Sequence, residues 1–244
     1  MMALFGSTKA KVARADGANE AEVGDDDVMS SDDDEDEADE DQPEPDEWEV
    51  FDLSRDWRED GPFDIDEVDL EADDVTRLDL GALIVTPDRG FNIQLAADAR
   101  TGAVTQLVVG NGPQSAMQVT LLAAPTDVDY RAEIRGELVG QSAGARSVEL
   151  AQGPFGTEIR RVVPVTDPTG REGVLPLRDW LVAGPRWVLN ARLMGAAALD
   201  QKGKSLAAGL EEFFRNIVVR RDEAAMVPGS PIALTPPAQK QAQE

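Results

Sequence analysis

The chain has 244 residues and a formal net charge of −25, with 48 acidic against 23 basic residues and neither cysteine nor histidine. The last two absences exclude disulfides, thiol nucleophiles, imidazole bases and the common transition-metal ligand sets, leaving carboxylates, Lys, Arg, Tyr130 and hydroxyls for any chemistry. The charge is one-sided: Met1 to Thr76 hold 30 acids and 5 bases, whereas Arg77 to Glu244 hold 18 of each and are neutral. A polyanionic arm on a neutral body of roughly 150 residues, the usual size of one domain, is the resulting expectation.

The opening MMALFGSTKAK lacks the apolar run of a signal peptide, and no later run reaches the roughly 18 to 20 apolar residues of a membrane span, so a soluble cytoplasmic protein is expected. Asp25 to Glu47 is too densely like-charged to bury anything, and residues 1–60 are assigned to a disordered acidic arm. Trp48, Val50, Phe51, Leu53 and Trp57 then stand among acids. Residues 61–76 continue that pattern and are read as a strap on the domain, anchored by Phe63, Ile65, Val68 and Leu70 with Phe63 foremost. A peptide motif for another protein's groove is the alternative for this acidic, apolar-studded stretch.

From residue 77 to 222 the pattern predicts a single α+β domain. Leu78 to Thr86, Phe91 to Ala97, Val104 to Val109 and Ala116 to Ala123 are short apolar, β-branched runs separated by turn chemistry, and such short connections join antiparallel neighbours. Thr126 with Asp129 resembles the start of a helix, and Tyr130, Ile134 and Leu138 continue one face of it to about Gln141. Four more strands are predicted at Ser147 to Ala151, Thr157 to Val165, Gly173 to Val182 and Arg186 to Met194. Leu206, Leu210, Phe213, Phe214 and Ile217 mark a last helix over Asp200 to Val218, and residues 223–244 read as a proline-containing tail, disordered beyond Thr235. Two antiparallel strand groups flanked by two helices are similar to the Mog1/PsbP-like architecture in element order.

Motifs for chemistry are weak. Ala198 to Ser205 fits a relaxed P-loop, but only 39 residues follow it and no further parallel strands are predicted, so the start of the last helix is preferred. Asp64-x-Asp66 opens an EF-hand pattern that fails at Asp69, where glycine is needed, and at Val75, where glutamate is needed. Glu158, Asp167, Glu172 and Asp179 cannot be paired by spacing. Arg160, Arg161, Arg178, Arg186 and Arg192 fall in one half of the sheet and are either a solvated Arg/Glu surface or a patch for an anion, a nucleic acid backbone or this protein's own acidic arm. Trp180 and Trp187 read as core, with a stacking platform beside Arg178 and Arg186 as the alternative. No cofactor and no metal are implied.

GPFDIDEVDL (Gly61 to Leu70), RLDLGALIV (Arg77 to Val85), YRAEIRGEL (Tyr130 to Leu138), GPFGTEIR (Gly153 to Arg160), GPRWVLNARLMG (Gly184 to Gly195) and the following LEEFFRNIVVRR resemble an actinobacterial family of uncharacterised proteins. The resemblance covers about Gly61 to Leu234. It implies a variable acidic arm before this domain and a gene often near that of dUTPase, with no site residues to transfer. The favoured expectation is a non-catalytic interaction or regulatory protein that meets protein partners, and basic surfaces through its arm, rather than nucleic acid. A small-ligand or lipid-binding module is one alternative. An enzyme or accessory factor of nucleotide or nucleic acid metabolism is the other.

Overall fold

The computed structural model of the chain describes residues 44–110, 112, 114–126, 128–199 and 204–237. A short helix, α1 (Glu47–Leu53), is followed by β1 (Phe63–Asp64), β2 (Leu78–Asp79) and β3 (Leu83–Val85). Next come β4 (Asn92–Ala97), β5 (Val104–Gly110), β6 (Ser115–Ala123) and helix α2 (Arg131–Gly140). The second strand group is β7 (Ser147–Gly153), β8 (Gly156–Thr166), β9 (Glu172–Gly184) and β10 (Trp187–Gly195), after which α3 (Lys204–Arg215) and β11 (Val218–Val219) complete the order.

Period-two burial builds the main sheet. In β6 every second residue from Ser115 to Ala123 is buried, and Met117, Val119, Leu121 and Ala123 all enter one core. The seven strands run β4-β5-β6-β10-β9-β8-β7, each pair antiparallel. Two meanders thus meet where β6 pairs with β10, from Trp187 opposite Ala123 to Gly195 opposite Ser115. One face carries Trp180, Trp187, Leu189 and Leu193 and is covered by α3 through Leu210, Phe213 and Phe214. The other face packs Leu181 and Val188 against Ile134 of α2. A smaller sheet in the order β1-β11-β3-β2 adds Leu83, Val85 and Val219 to the main core. The class is mixed α+β with mostly antiparallel strands, as the element order implies. No helix among the described residues is long and apolar enough to cross a membrane.

Several boundaries differ from the expectations. The strand expected over Leu78 to Thr86 is broken into β2 and β3, because Gly81 takes φ +79° and Leu80 N–H turns back to bond the Leu83 carbonyl. Thr126 does not cap α2: the N-cap is Tyr130, without a side-chain bond, while the Asp129 carboxylate is occupied by Arg131. Helix α3 is described from Lys204, and residues 200–203 of the P-loop-like stretch lie outside the described residues. The strand before that stretch is central to an antiparallel sheet rather than the opening of a βαβ unit. The domain does not stop at 222, since Ile232 and Leu234 are core residues and their N–H groups bond the carbonyls of Leu121 and Val104. Nor does the acidic arm extend to 60. Residues 1–43 lie outside the described residues, but α1 is built and seated on the sheet.

Candidate interaction surface

The five candidate arginines do not form one patch, and the reason is strand alternation. Glu158 and Arg160 are two apart on β8 and share a face; Arg178 lies directly opposite Arg160, and Trp180 is two residues further on that face. The fully buried Glu158 carboxylate accepts from Arg160 Nε at 2.6 Å, from Arg178 Nη2 at 2.7 Å and Nε at 3.1 Å, and from Trp180 Nε1 at 3.0 Å. One residue along β9 the direction reverses. Asp179, equally buried, accepts from Arg161 Nη2, from Arg192 Nε at 2.8 Å and from Asn190 Nδ2 at 3.5 Å, while Arg161 Nη1 donates to Ser142 Oγ at 3.1 Å. Each face of this half of the sheet therefore carries one buried carboxylate between two guanidinium groups. Arg186 stands apart at the β9–β10 turn with φ +61° and donates to the Asp222 carbonyl at 2.6 Å. An ion taken out of water loses several kcal/mol of solvation, and these close contacts offset it; the arginines are structural partners first. Trp180 and Trp187 are both buried, so neither offers a stacking platform.

Helix α1 is docked by its polar side. Asp46 closes a capping box, its carboxylate accepting from the N–H groups of Trp48 and Glu49 while Glu49 accepts from the Asp46 N–H. Asp52, 4% exposed, is the buried residue of the helix. It accepts from Arg135 Nη1 of α2 at 2.6 Å and from the Thr157 N–H of β8 at 2.7 Å, and Arg131 Nη2 donates to its carbonyl at 3.2 Å. Gly156 makes room for this seat: at φ +96° it has no side chain, and a Cβ there would lie 2.6 Å from Asp52 Oδ1. The aliphatic residues face outward, with Val50 56% and Leu53 66% exposed. Trp48, Phe51 and Trp57 are half-buried and touch in sequence, at ring separations of 6.4 Å and 4.8 Å.

The strap repeats the inversion. Phe63, Ile65, Val68 and Leu70 are each half-buried, and the fully enclosed residues are Gly61, Pro62 and Asp64. Asp64 Oδ2 accepts from the Trp187 indole at 2.7 Å, and Phe63 N–H bonds the Ile217 carbonyl at 3.0 Å as β1 pairs with β11. Phe63, expected as the foremost anchor, is thus only half-buried, and the buried side chain of the strap is the Asp64 carboxylate. Arg58 clamps Glu67 bidentately and lies 5.6 Å from the Trp187 ring centre. That hydrogen bond holds the Glu67 carboxyl below its usual range despite partial burial, and raises the Arg58 pKa. Burial would raise the Asp129 carboxyl, but the hydrogen bonds and charge of Arg131 bring it below the ordinary value.

A separate cleft of about 490 Å³ lies between the β3–β4 connection and α3, with Phe91 and Phe213 in edge-to-face contact and Asp88, Arg89, Glu212 and Asn216 around them. Among the described residues no three carboxylates converge as a metal site would need. Sequence spacing could have found the Glu158–Arg160 pair, since period two puts them on one face. It could not have found Asp52 or Asp64, whose carboxylates are met by Arg135 and Trp187, 83 and 123 residues away.

The arrangement defines a mixed α+β domain with a docked acidic N-terminal segment. Residues 61–243 match the family described as Protein of unknown function (DUF3710), and the chain belongs to that family. No curated protein matches. Among solved structures the chain is similar to the Ran-binding protein Mog1p of Saccharomyces cerevisiae, at 16% identity over 59% of this chain and 94% of that one, with a TM-score of 0.35. It is also similar to a protein of Bacteroides thetaiotaomicron VPI-5482, at 11% identity over 59% of this chain and 47% of that one, TM-score 0.34. Cyanobacterial PsbP (CyanoP) from Synechocystis sp. PCC 6803 is similar at 11% identity over 59% of this chain and 91% of that one, TM-score 0.31.

Proposed function

We propose that the chain is a non-catalytic interaction or regulatory protein of the cytoplasm, whose polyanionic N-terminal segment selects protein partners with basic surfaces. One observation carries this reading: Arg161, Arg178 and Arg192 are bound to the buried carboxylates of Glu158 and Asp179, and those carboxylates are engaged in turn. The groups that would otherwise make an anion site or an acid–base pair are thus committed to the fold, while the net charge of −25 sits in residues 1–76. Partner selection then follows the sign of that segment. The test compares the full chain with a full-length variant in which the acids of residues 32–37 are replaced by Asn and Gln, capturing partners across a salt series. Weaker, less salt-sensitive capture by the variant is expected; identical partners and affinities would overturn the reading.

A second reading, a small-ligand or lipid-binding module, is favoured by the cleft between Phe91 and Phe213. Native mass spectrometry of the purified chain would then detect a retained molecule that Gly209→Leu, whose side chain enters the cleft beside Phe91, displaces.

A further inference from the structure

A surface helix ordinarily turns its apolar stripe to the core and its charges to water. Helix α1 departs from this at three positions: Asp52 is inside while Val50 and Leu53 are outside, with Trp48 and Phe51 half-buried between them. Its buried polar hold on the domain is Asp52, bonded to Arg135 and the Thr157 N–H, whereas Val50 and Leu53, three residues apart, are more than half exposed. The half-buried rings of Phe51 and Trp57 are in contact beside them. A helix seated by ion pairs has no structural use for an apolar outer face, so that face is left for something outside the domain.

The charges around it select the occupant. Residues 44–60 hold eight carboxylates and two arginines. Both arginines are engaged: Arg55 lies 3.7 Å from the Trp57 ring centre and Arg58 is held by Glu67. Of the carboxylates, Asp52 is inside, and Glu47, Asp56, Glu59 and Asp60 are exposed. A second copy would set this acidic rim against itself, and anionic lipid or nucleic acid would meet the same repulsion. We propose, building on the interaction reading above, that the outer face of α1 docks an amphipathic helix of a partner protein whose apolar stripe is flanked by lysine or arginine. The mode is helix against helix, with Val50 and Leu53 as contacts at i and i+3 and the acidic residues setting the orientation.

The test uses the full chain and a labelled amphipathic helical peptide of leucine and lysine, with a leucine–glutamate peptide as control. The wild-type chain is expected to bind the leucine–lysine peptide at least tenfold tighter than Val50→Ser/Leu53→Ser, a double variant that leaves every charge in place, and to reject the control. Thermal midpoints of the two chains should agree, because both substituted side chains face solvent. Should the double variant lose stability, Glu47→Lys/Glu59→Lys provides the independent measurement, expected to shift preference toward the leucine–glutamate peptide. Equal affinity of wild type and the serine variant would overturn the docking face, as would a dimer of the wild type that the serine variant abolishes, or no peptide binding at all. If the serine variant binds normally while neutralising the acids of residues 32–37 weakens capture, the interaction reading stands and this inference alone falls.

Discussion

Glu158 has no solvent exposure and four donor contacts from three side chains. Removing it leaves the Arg178 guanidinium, the Arg160 Nε–H and the Trp180 indole without the acceptor around which they pack. Glu158→Ala is therefore expected to cost about 3–5 kcal/mol in denaturant unfolding, the range for breaking a buried ion pair from one side. A loss under about 1 kcal/mol would show that the arginines are solvated and the cluster is a surface feature. Two carboxylates add a pH dependence. Glu67 and Asp129 both have folded pKa values below their ordinary ones, through Arg58 and Arg131. The stability they contribute is present above the unfolded pKa of about 4 and is lost as pH falls through the lower folded values. Glu67→Gln/Asp129→Asn should thus unfold more easily than wild type at neutral pH and by a smaller margin at pH about 3; an equal margin at both would show that neither carboxylate is held by its arginine.

At the scale of elements, α1 and the strap share one device, a buried carboxylate on a segment whose apolar side chains are incompletely covered. Asp52→Asn weakens the bond to Arg135 without changing the helix, so amide exchange across Trp48 to Leu53 should accelerate while β6 and β10 stay protected. Unchanged exchange would mean that the Trp48 and Phe51 contacts suffice. Phe63→Ala is expected to cost about 1–2 kcal/mol, less than the 3–5 of a fully buried phenylalanine, since Phe63 is half-exposed. Much of the fold was legible where periodicity was strong. The strands from Phe91 to Met194 agree within about two residues, because alternation and turn residues such as Asp98 and Asp167, which accept from Thr101 and Thr169, speak together. The rest depended on distant partners. Nothing local announces that Asp52 will be buried, since aspartate almost never is without a partner, and its partner is Arg135. The tail misled through its prolines: Ile232 and Leu234 alternate as a strand would, but Pro231 and Pro236 suggested an open end. The arginines were legible as a group in one half of the sheet, not as two clusters on opposite faces.

Over the whole molecule, positive and negative charge are handled differently. In the second half of the sheet, arginines are drawn onto internal carboxylates, and the surplus of acid lies in the first 76 residues. Ordered against the domain by Asp52 and Asp64, the part of that segment from residue 44 onward shows carboxylates, Val50 and Leu53 to solvent. The most direct measurement of this division places a photo-crosslinking residue in the full chain at Val50, on the outer face of α1, or at Gln118, which lies opposite Arg192 on the sheet. Salt-sensitive protein adducts from position 50, abolished by Leu53→Ser, with none from position 118, are the predicted result. Adducts from position 118 without any from position 50 would contradict it and place the partner on the face of the sheet that carries Arg192.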